Sequence, residues 1–211
     1  SAIYSQACKQ VVAITTEVTY TNYFGQTSSQ ASCGSGFFIT EDGLAVTNYH
    51  SIADAVSATA TLSTGDVYEV ERVIYYDPDI DIAVIRVSHA ALKGHDTSAF
   101  ATLDIADSGT GDLRAGDTVY AIGNPLGLGL AVSSGIVSAT QRDVERYALP
   151  CVMSTADISE ASSGGALLND RGQVVGVTTI KIVADDGSAE GLGFAIPTTR
   201  VKQVVDRLIA G

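Results

Sequence analysis

Ten short segments rich in β-branched residues recur along this 211-residue chain, and turn signals containing glycine or aspartate separate them. The sequence holds 22 valines, 16 isoleucines and 20 threonines, which suit the pleated, half-buried surface of a β-sheet. The segments do not alternate regularly with helical patterns, which argues against a parallel α/β sheet. The pattern therefore predicts an all-β sandwich or barrel. The predicted strands are 11–19, 36–40, 44–47, 58–62, 67–74, 82–87, 118–122, 131–138, 174–179 and 194–196.

Two helices and one linker between two barrels complete the predicted organisation. A short helix is expected over 52–56, and a C-terminal helix is expected to begin at Thr198 or Thr199, whose hydroxyl caps a run with one apolar face. The strand spacing suits two packed barrels, and the stretch 90–113 is the most linker-like part of the chain. We predict one barrel over about residues 1–100 and a second over about 113–197, followed by a helix over 198–210. The alternative is that 90–113 is a long surface loop within one half.

The charge of the chain narrows the classes of partner. Acidic residues outnumber basic ones by 24 to 12, which gives a net charge of −12 and a pI near 4.4. Such a surface repels polyanions, so nucleic-acid binding is not expected. No apolar run approaches the roughly 18 residues that a membrane-spanning helix needs. Because the chain begins with Ser1 rather than Met, an anchor or signal upstream of it stays open.

Three cysteines cannot all pair within one chain. Cys8 and Cys33 flank the first predicted strand and its loop, and would form a disulfide if the two segments return as a hairpin. The alternative is three buried thiols, with Cys151 in an apolar stretch. The sequence has no His-x-x-x-His or Cys-x-x-Cys pattern, and the aspartate-rich run 77–81 lacks the glycine and glutamate of a calcium loop. We therefore expect no metal and no cofactor.

The order of a few polar residues limits the chemistry. Ser163 precedes two glycines, which let the backbone turn sharply and present a hydroxyl and adjacent amides to a substrate carbonyl. Taken alone, an ordinary Ser/Gly turn is the simpler interpretation. All three histidines precede Ser163, which excludes the Ser–Asp–His order of α/β-hydrolases. His50 follows an apolar strand and can emerge at a barrel rim, whereas His89 and His95 lie in a polar stretch and are expected to be solvated.

An orienting carboxylate then has to lie between His50 and Ser163. Asp81 directly precedes the apolar strand 82–87, where solvent gives way to the core, while Asp77 and Asp79 belong to a turn that contains proline. The subtilisin order would require Asp42, which a turn already explains. The order His–Asp–Ser remains, with Asp81 as the preferred carboxylate.

Six motifs, in order from about residue 11 to residue 208, resemble the protease domain of the HtrA/DegP family. They are GSGFFI at 34–39, TNYH at 47–50, DPDIDIAV at 77–84, GDTVYAIGNPLG at 116–127, SGIVS at 134–138 and GFAIP at 193–197. The resemblance implies a trypsin-like fold of two six-stranded antiparallel β-barrels with a C-terminal helix. It implies a serine endopeptidase that acts on unfolded or exposed protein segments through an acyl-enzyme. His50 would be the general base, Asp81 its orienting partner and Ser163 the nucleophile.

The resemblance also implies an oxyanion hole in the loop formed by Ala161, Ser162 and Ser163, with the amides of Ala161 and Ser163 as the donors. The family pattern in this loop is Gly-Asn-Ser-Gly-Gly, so Ala161 and Ser162 depart from it. An alanine resists backbone angles that glycine adopts, and restoring an active loop would cost about 1–2 kcal/mol. Activity is therefore a separate expectation from the fold.

A primary specificity pocket is implied near Ile158, with one wall on the strand that carries Ile180, Lys181 and Ile182. These residues suggest a preference for small or aliphatic substrate side chains. Asp157 lies six residues before the predicted nucleophile, the spacing at which trypsin carries the carboxylate that selects Arg or Lys. Basic specificity is therefore a competing hypothesis.

Two other functions stay open. The first is a catalytically weak or degenerate protease domain that binds extended peptides by strand addition, and the second is a non-catalytic β-rich adhesion or scaffold domain. Family members commonly carry a C-terminal PDZ domain, which we do not expect within residues 1–211, and form trimers through an N-terminal segment. Ile3 and Tyr4 would play that part in a homotrimer, and the alternative is a frayed terminus. The resemblance and the acidic composition suggest a bacterial, extracytoplasmic protein of protein quality control.

Overall fold

The structure is a computed structural model that describes residues 2–106, 113–124, 129–159, 162–181 and 192–210, and the backbone alone of Ile180 and Lys181. The helices are α1 (Ala2–Ala7), α2 (Tyr49–Ile52) and α3 (Thr198–Ala210). The strands are β1 (Val11–Thr21), β2 (Thr27–Phe38), β3 (Leu44–Thr47), β4 (Ala55–Thr61), β5 (Val67–Asp77), β6 (Ile82–Lys93), β7 (Thr118–Gly123), β8 (Ala131–Arg142), β9 (Cys151–Ser154), β10 (Ala166–Leu168), β11 (Val174–Lys181) and β12 (Gly193–Pro197).

The strands form two closed antiparallel barrels of six strands each, as the sequence predicted. The first barrel has the strand order β1-β2-β3-β6-β5-β4, and the second has the order β10-β11-β12-β9-β8-β7. In the first barrel, β1 pairs with β2 from Val11 opposite Phe37 to Thr21 opposite Thr27. The outer half of this hairpin is exposed, so its side chains project beyond the barrel.

Each barrel has its own apolar interior. In the first, Phe38 stacks on Phe100 with ring centroids 4.1 Å apart, and Tyr68 meets Phe100 edge-on. In the second, Val119, Val152 and Leu167 are fully buried. Alternate residues of a strand face opposite sides of the sheet, so each strand sends every second side chain into its barrel.

A third apolar cluster joins the two barrels and the C-terminal helix. It contains Phe37 and Val84 of the first barrel, Leu168 and Val177 of the second, and Val201 of α3. All of these side chains are 5% exposed or less. We call this set of buried residues the shared core cluster. It fixes the two barrels against each other and therefore the width of the cleft between them.

The secondary structure differs from the predictions at several places, and α1 was not among the predicted helices. The short helix lies at Tyr49–Ile52 rather than 52–56, because β4 already begins at Ala55 after a turn in which Asp54 has a left-handed φ of 61°. The strand β6 continues to Lys93, so the predicted linker begins within it. β9 and β10, with four and three residues, were not predicted. The exact division into two domains stays a prediction, since the shared core cluster belongs to both barrels.

The N-terminal segment is helical rather than frayed. Ile3 lies in α1 and packs against the shared core cluster, so this segment is docked on the barrels.

The three cysteines are free thiols, so the prediction of a Cys8–Cys33 disulfide was wrong. The Cys8 thiol donates to the carbonyl of Ser5, whereas Cys33 lies on β2 with its sulfur 3.9 Å from Thr15 Oγ1. Cys151 is fully buried, but the other two thiols are only half-buried.

Candidate active site

His50 and Asp81 meet at one edge of the first barrel. β3 pairs with β6, so the residues that follow β3 and precede β6 leave the sheet side by side. The His50 amide donates to Asp81 Oδ1 at 2.8 Å, and His50 Nδ1 lies 2.7 Å from Asp81 Oδ2. A carboxylate only accepts, so Nδ1 carries the proton of this bond. The other ring nitrogen, Nε2, is then left unprotonated in the neutral imidazole and can accept a proton.

The backbone of Asp81 is held in a conformation that L-residues avoid. Its φ is +56°, which costs about 1–2 kcal/mol for a residue other than glycine. Its carbonyl accepts from the Tyr49 amide at 3.1 Å and from the Asn48 side chain at 2.9 Å. These two bonds hold the strained turn, and the turn places the buried carboxylate beneath the imidazole.

Ser163 lies between β9 and β10 and is tied to the first barrel. Its carbonyl accepts from the Ser35 amide of β2 at 2.8 Å. The next residue, Gly164, has a φ of +87°, and its amide donates to the Thr178 carbonyl at 2.7 Å. The Ser163 hydroxyl is buried and donates to the carbonyl of Thr179. Among the described residues, we find no hydrogen bond that joins Ser163 to His50.

Thr179, on β11, forms hydrogen bonds with two members of the predicted triad, Ser163 and Asp81. Its carbonyl accepts the Ser163 hydroxyl, and its own hydroxyl donates to Asp81 Oδ2 at 3.5 Å. The sequence analysis missed Thr179, because it is one of two threonines in a largely apolar strand and only the fold brings it to Asp81, 98 positions away. The structure therefore assembles His50 with Asp81 directly, and Ser163 with Asp81 through Thr179.

The predicted oxyanion loop is described only in part, because Ala161 lies outside the described residues. The Ser162 amide donates to the Ser159 carbonyl at 3.0 Å, and the Ser162 hydroxyl donates to the same carbonyl at 2.7 Å. Ser162 thus holds the loop to itself in this arrangement.

The predicted specificity residues divide into three cases. Ile158 is buried in the second barrel, where a side chain on Gly193 would collide with it, at 2.7 Å from its Cδ1. Asp157 is exposed, and its carbonyl accepts from the Ser133 hydroxyl at 2.6 Å. Ile180 and Lys181 lie on β11, but their side chains are not described, and Ile182 lies outside the described residues.

A cleft of about 510 Å³ opens beside the imidazole. The first barrel contributes strand residues of β1 and β2 and the α2 region, and the second contributes the segment before β9. Among its lining residues are Thr16, Val18, Ser32, Asp54, Arg146 and Tyr147, together with His50 and Asp81.

The sequence of the chain matches a family of known proteins. The model of the trypsin-like peptidase domain matches residues 34–177. The chain belongs to the trypsin-like peptidase family. This peptidase domain is 39% identical over 183 residues to a probable periplasmic serine endoprotease DegP-like of Chlamydia trachomatis, which covers 84% of the chain and 34% of the relative. It is 40% identical over 177 residues to a protein of the same description from Bartonella henselae, which covers 83% of the chain and 33% of the relative.

Solved structures agree with the predicted HtrA/DegP resemblance. Two structures of the HtrA-type protease AlgW with a decapeptide superpose on the peptidase domain with TM-scores of 0.82 and 0.78, at 25% and 26% identity. Each match covers 99% of this chain and 66% of the other. The peptidase domain spans about a third of the length of the curated relatives it matches. Within its described residues, none of the helices has the length and apolar character to cross a membrane.

Proposed function

We propose that the chain is a serine endopeptidase domain that cleaves unfolded or exposed protein segments through a Ser–His–Asp triad and an acyl-enzyme. The observation that carries the proposal is the set of bonds around the buried Asp81 carboxylate. This carboxylate accepts hydrogen bonds from both the amide and the ring of His50. It also accepts one from the Thr179 hydroxyl, and the Thr179 carbonyl accepts the Ser163 hydroxyl. This arrangement supports the tautomer that a general base requires, and Thr179 connects the Ser163 hydroxyl to the same carboxylate. Family membership and the DegP-like relatives support the same activity.

In the proposed mechanism, the Ser163 hydroxyl turns from the Thr179 carbonyl towards His50 Nε2. Oγ attacks the substrate carbonyl as Nε2 takes its proton, and Asp81 stabilises the imidazolium that forms. The amides of Ser163 and Ala161 receive the developing oxyanion, and each such donor is worth about 2.7–4 kcal/mol. The imidazolium then protonates the leaving amine, and the same imidazole activates the water that hydrolyses the acyl-enzyme.

Hydrolysis of an unfolded casein-type substrate tests the proposal. Ser163→Ala should abolish it, while Ser57→Ala should not, because Ser57 is an exposed strand residue whose hydroxyl donates to Glu17. A phosphonylating reagent should label the wild type at Ser163 and leave the Ser163→Ala variant unlabelled. Equal hydrolysis by the wild type and Ser163→Ala would disprove the enzyme proposal, and failure of labelling would favour a scaffold domain.

We propose a preference for small or aliphatic side chains at the residue before the scissile bond. The apolar Ile158, buried in the core of the second barrel, supports this preference, while the exposed Asp157 supports the competing basic specificity. Peptides that end in Ala or Val should turn over faster than peptides that end in Arg. Faster cleavage after Arg, lost in Asp157→Asn, would reverse the assignment.

A second candidate function is a peptide-binding domain with weak catalysis. Two observations favour it: the Ser163 hydroxyl donates to Thr179 rather than to His50, and Ala161 replaces the family's glycine. In that case an extended peptide would bind the wild type and Ser163→Ala with the same affinity, and neither would hydrolyse it.

The cellular setting is a proposal of the same kind. The relatives are named periplasmic serine endoproteases, and we propose an extracytoplasmic location for this protein. We also propose a homotrimer through the N-terminal segment with Ile3 and Tyr4. Sedimentation of the chain with and without residues 1–7 tests the trimer, and an unchanged monomer in both would refute it.

A further inference from the structure

We propose that Tyr147 is a positioning residue that sets the direction of the Thr179 hydroxyl and thereby supports the Asp81–His50 pair. The inference rests on the proposed function of this site and extends it to a residue of the second barrel. No feature of the sequence singled out Tyr147, which lies in the segment between β8 and β9.

Tyr147 is fixed at the edge of the cleft. Its amide donates to the Val144 carbonyl, and its ring packs with Val144, Cys151 and Phe194 in a small apolar cluster. The side chain is almost fully buried, and its hydroxyl oxygen lies 2.6 Å from Thr179 Oγ1. The ring is therefore held in place by packing, and the hydroxyl is aimed at a single partner.

The direction of each hydrogen bond follows from the number of protons available. Thr179 Oγ1 lies 3.5 Å from Asp81 Oδ2, and a carboxylate oxygen can only accept. The threonine hydroxyl has one proton, so if it donates to Asp81 it has to accept from Tyr147. The Tyr147 hydroxyl then donates to Thr179, Thr179 donates to Asp81, and the same Oδ2 accepts His50 Nδ1.

Tyr147 keeps its proton at neutral pH. Burial, and to a smaller extent the nearby Asp81 carboxylate, raise the pKa of the Tyr147 hydroxyl above its usual value, although the bond to Thr179 opposes this. Several other charged or titratable groups lie near this chain of bonds. The charges of Asp81, Arg146 and Cys151 influence the Tyr147 hydroxyl. The cleft around His50 is also lined by Asp54, Tyr20 and Tyr49. The variants below leave all of these groups in place.

Removing the Tyr147 hydroxyl frees the Thr179 hydroxyl to rotate away from Asp81. The carboxylate then loses a donor, keeps more of its negative charge and favours the protonated imidazole more strongly. We expect the titration midpoint of the His50 ring to move to higher pH in Tyr147→Phe than in the wild type. Hydrogen bonds of this kind contribute roughly a threefold to tenfold effect, so kcat should fall by about that factor while KM changes less than twofold.

A double-mutant cycle followed by NMR titration of the His50 ring tests the inference without relying on hydrolysis. The variants are Tyr147→Phe, Thr179→Val and both together, and a His50→Gln sample assigns the resonance. Tyr147→Phe should shift the midpoint in the wild-type background and leave it unchanged in the Thr179→Val background. Additive shifts, or an unshifted midpoint in Tyr147→Phe, would overturn the inference.

A matched tyrosine separates this effect from a general loss of stability. Tyr68 is also buried, and its hydroxyl donates to the His95 carbonyl at 2.7 Å, away from the cleft. Tyr68→Phe should leave both the His50 midpoint and kcat unchanged. A rise in KM alone for Tyr147→Phe would assign the residue to substrate binding and refute positioning. If Ser163→Ala and the wild type hydrolyse casein equally, the proposed function fails while the NMR cycle still decides the inference.

Discussion

Gly164 is the residue after the proposed nucleophile, and its replacement by alanine tests how firmly the site is built into both barrels. Its φ is +87°, and a Cβ there would collide with the Ser35 carbonyl and lie 2.7 Å from Thr47 Oγ1. Ser35 has little room to move, because its amide donates to the Ser163 carbonyl and its own carbonyl accepts from Thr47. Gly65 offers a matched control, since its φ is +88° with no atom within 4 Å of the same position.

The difference between the two variants can be worked out from these contacts. The left-handed φ costs an L-residue about 1–2 kcal/mol in both. In Gly164→Ala, overpacking adds about 1–3 kcal/mol and the loss of one hydrogen bond at Ser35 adds about 1 kcal/mol. The change in unfolded-state entropy is the same for both substitutions and cancels. We therefore expect Gly164→Ala to lower the free energy of unfolding by about 2–4 kcal/mol more than Gly65→Ala does.

Urea denaturation followed by tyrosine fluorescence or circular dichroism gives the free energy of unfolding of both variants. A Gly164→Ala chain that fails to fold while Gly65→Ala folds leads to the same conclusion as a large measured difference. The reasoning is refuted if the two variants unfold within about 0.5 kcal/mol of each other, because the loop of Ser163 would then be free to move away from β2.

Two further predictions concern ionisable groups. Asp81→Asn should lower kcat/KM by about four orders of magnitude. The amide oxygen of the new side chain would accept the His50 amide and its nitrogen would face Nδ1, which forces the ring proton onto Nε2. Asp79→Asn, at an exposed residue, is the control, and an equal loss of activity there would contradict the tautomer argument. Burial raises the pKa of the Cys151 thiol from 9.0 to about 11. As the pH rises, the unfolded chain therefore loses this proton before the folded chain does. The free energy of unfolding should fall by about 1.4 kcal/mol per pH unit between pH 9 and about pH 11. Urea titrations of the wild type should show this extra decline relative to Cys151→Ala, and parallel curves would count against it.

Strand positions were predictable where burial alternates and turns are marked. The strand at 44–47 was predicted at its exact bounds, and that at 11–19 fell short by two residues. β9 and β10 were missed because a run of only three apolar residues carries no periodicity that distinguishes a strand from any other buried segment. The displaced short helix has a similar cause, since the strained turn at Asp54 that ends it depends on the tertiary fold.

Only those residues of the candidate site that belong to sequence motifs could be predicted from the sequence. The sequence order led to His50, Asp81 and Ser163, and the structure places the first two in direct contact. The contribution of Thr179 was invisible, because it depends on the backbone carbonyl of one strand and a hydroxyl that meets Asp81 only after the barrels pack. The direction of the Ser163 hydroxyl is a rotamer, and residue order carries no information about rotamers.

The shared core cluster has a consequence for how proteases of this architecture change over time. Because Val84 and Val177 both belong to the cluster between the two barrels, trimming a methyl group from either would tilt one wall of the groove relative to the other. Such a tilt would alter the separation between hydroxyl and imidazole without any change on the surface that meets a peptide. Cleavage rates can therefore drift by substitutions at positions that no substrate ever touches.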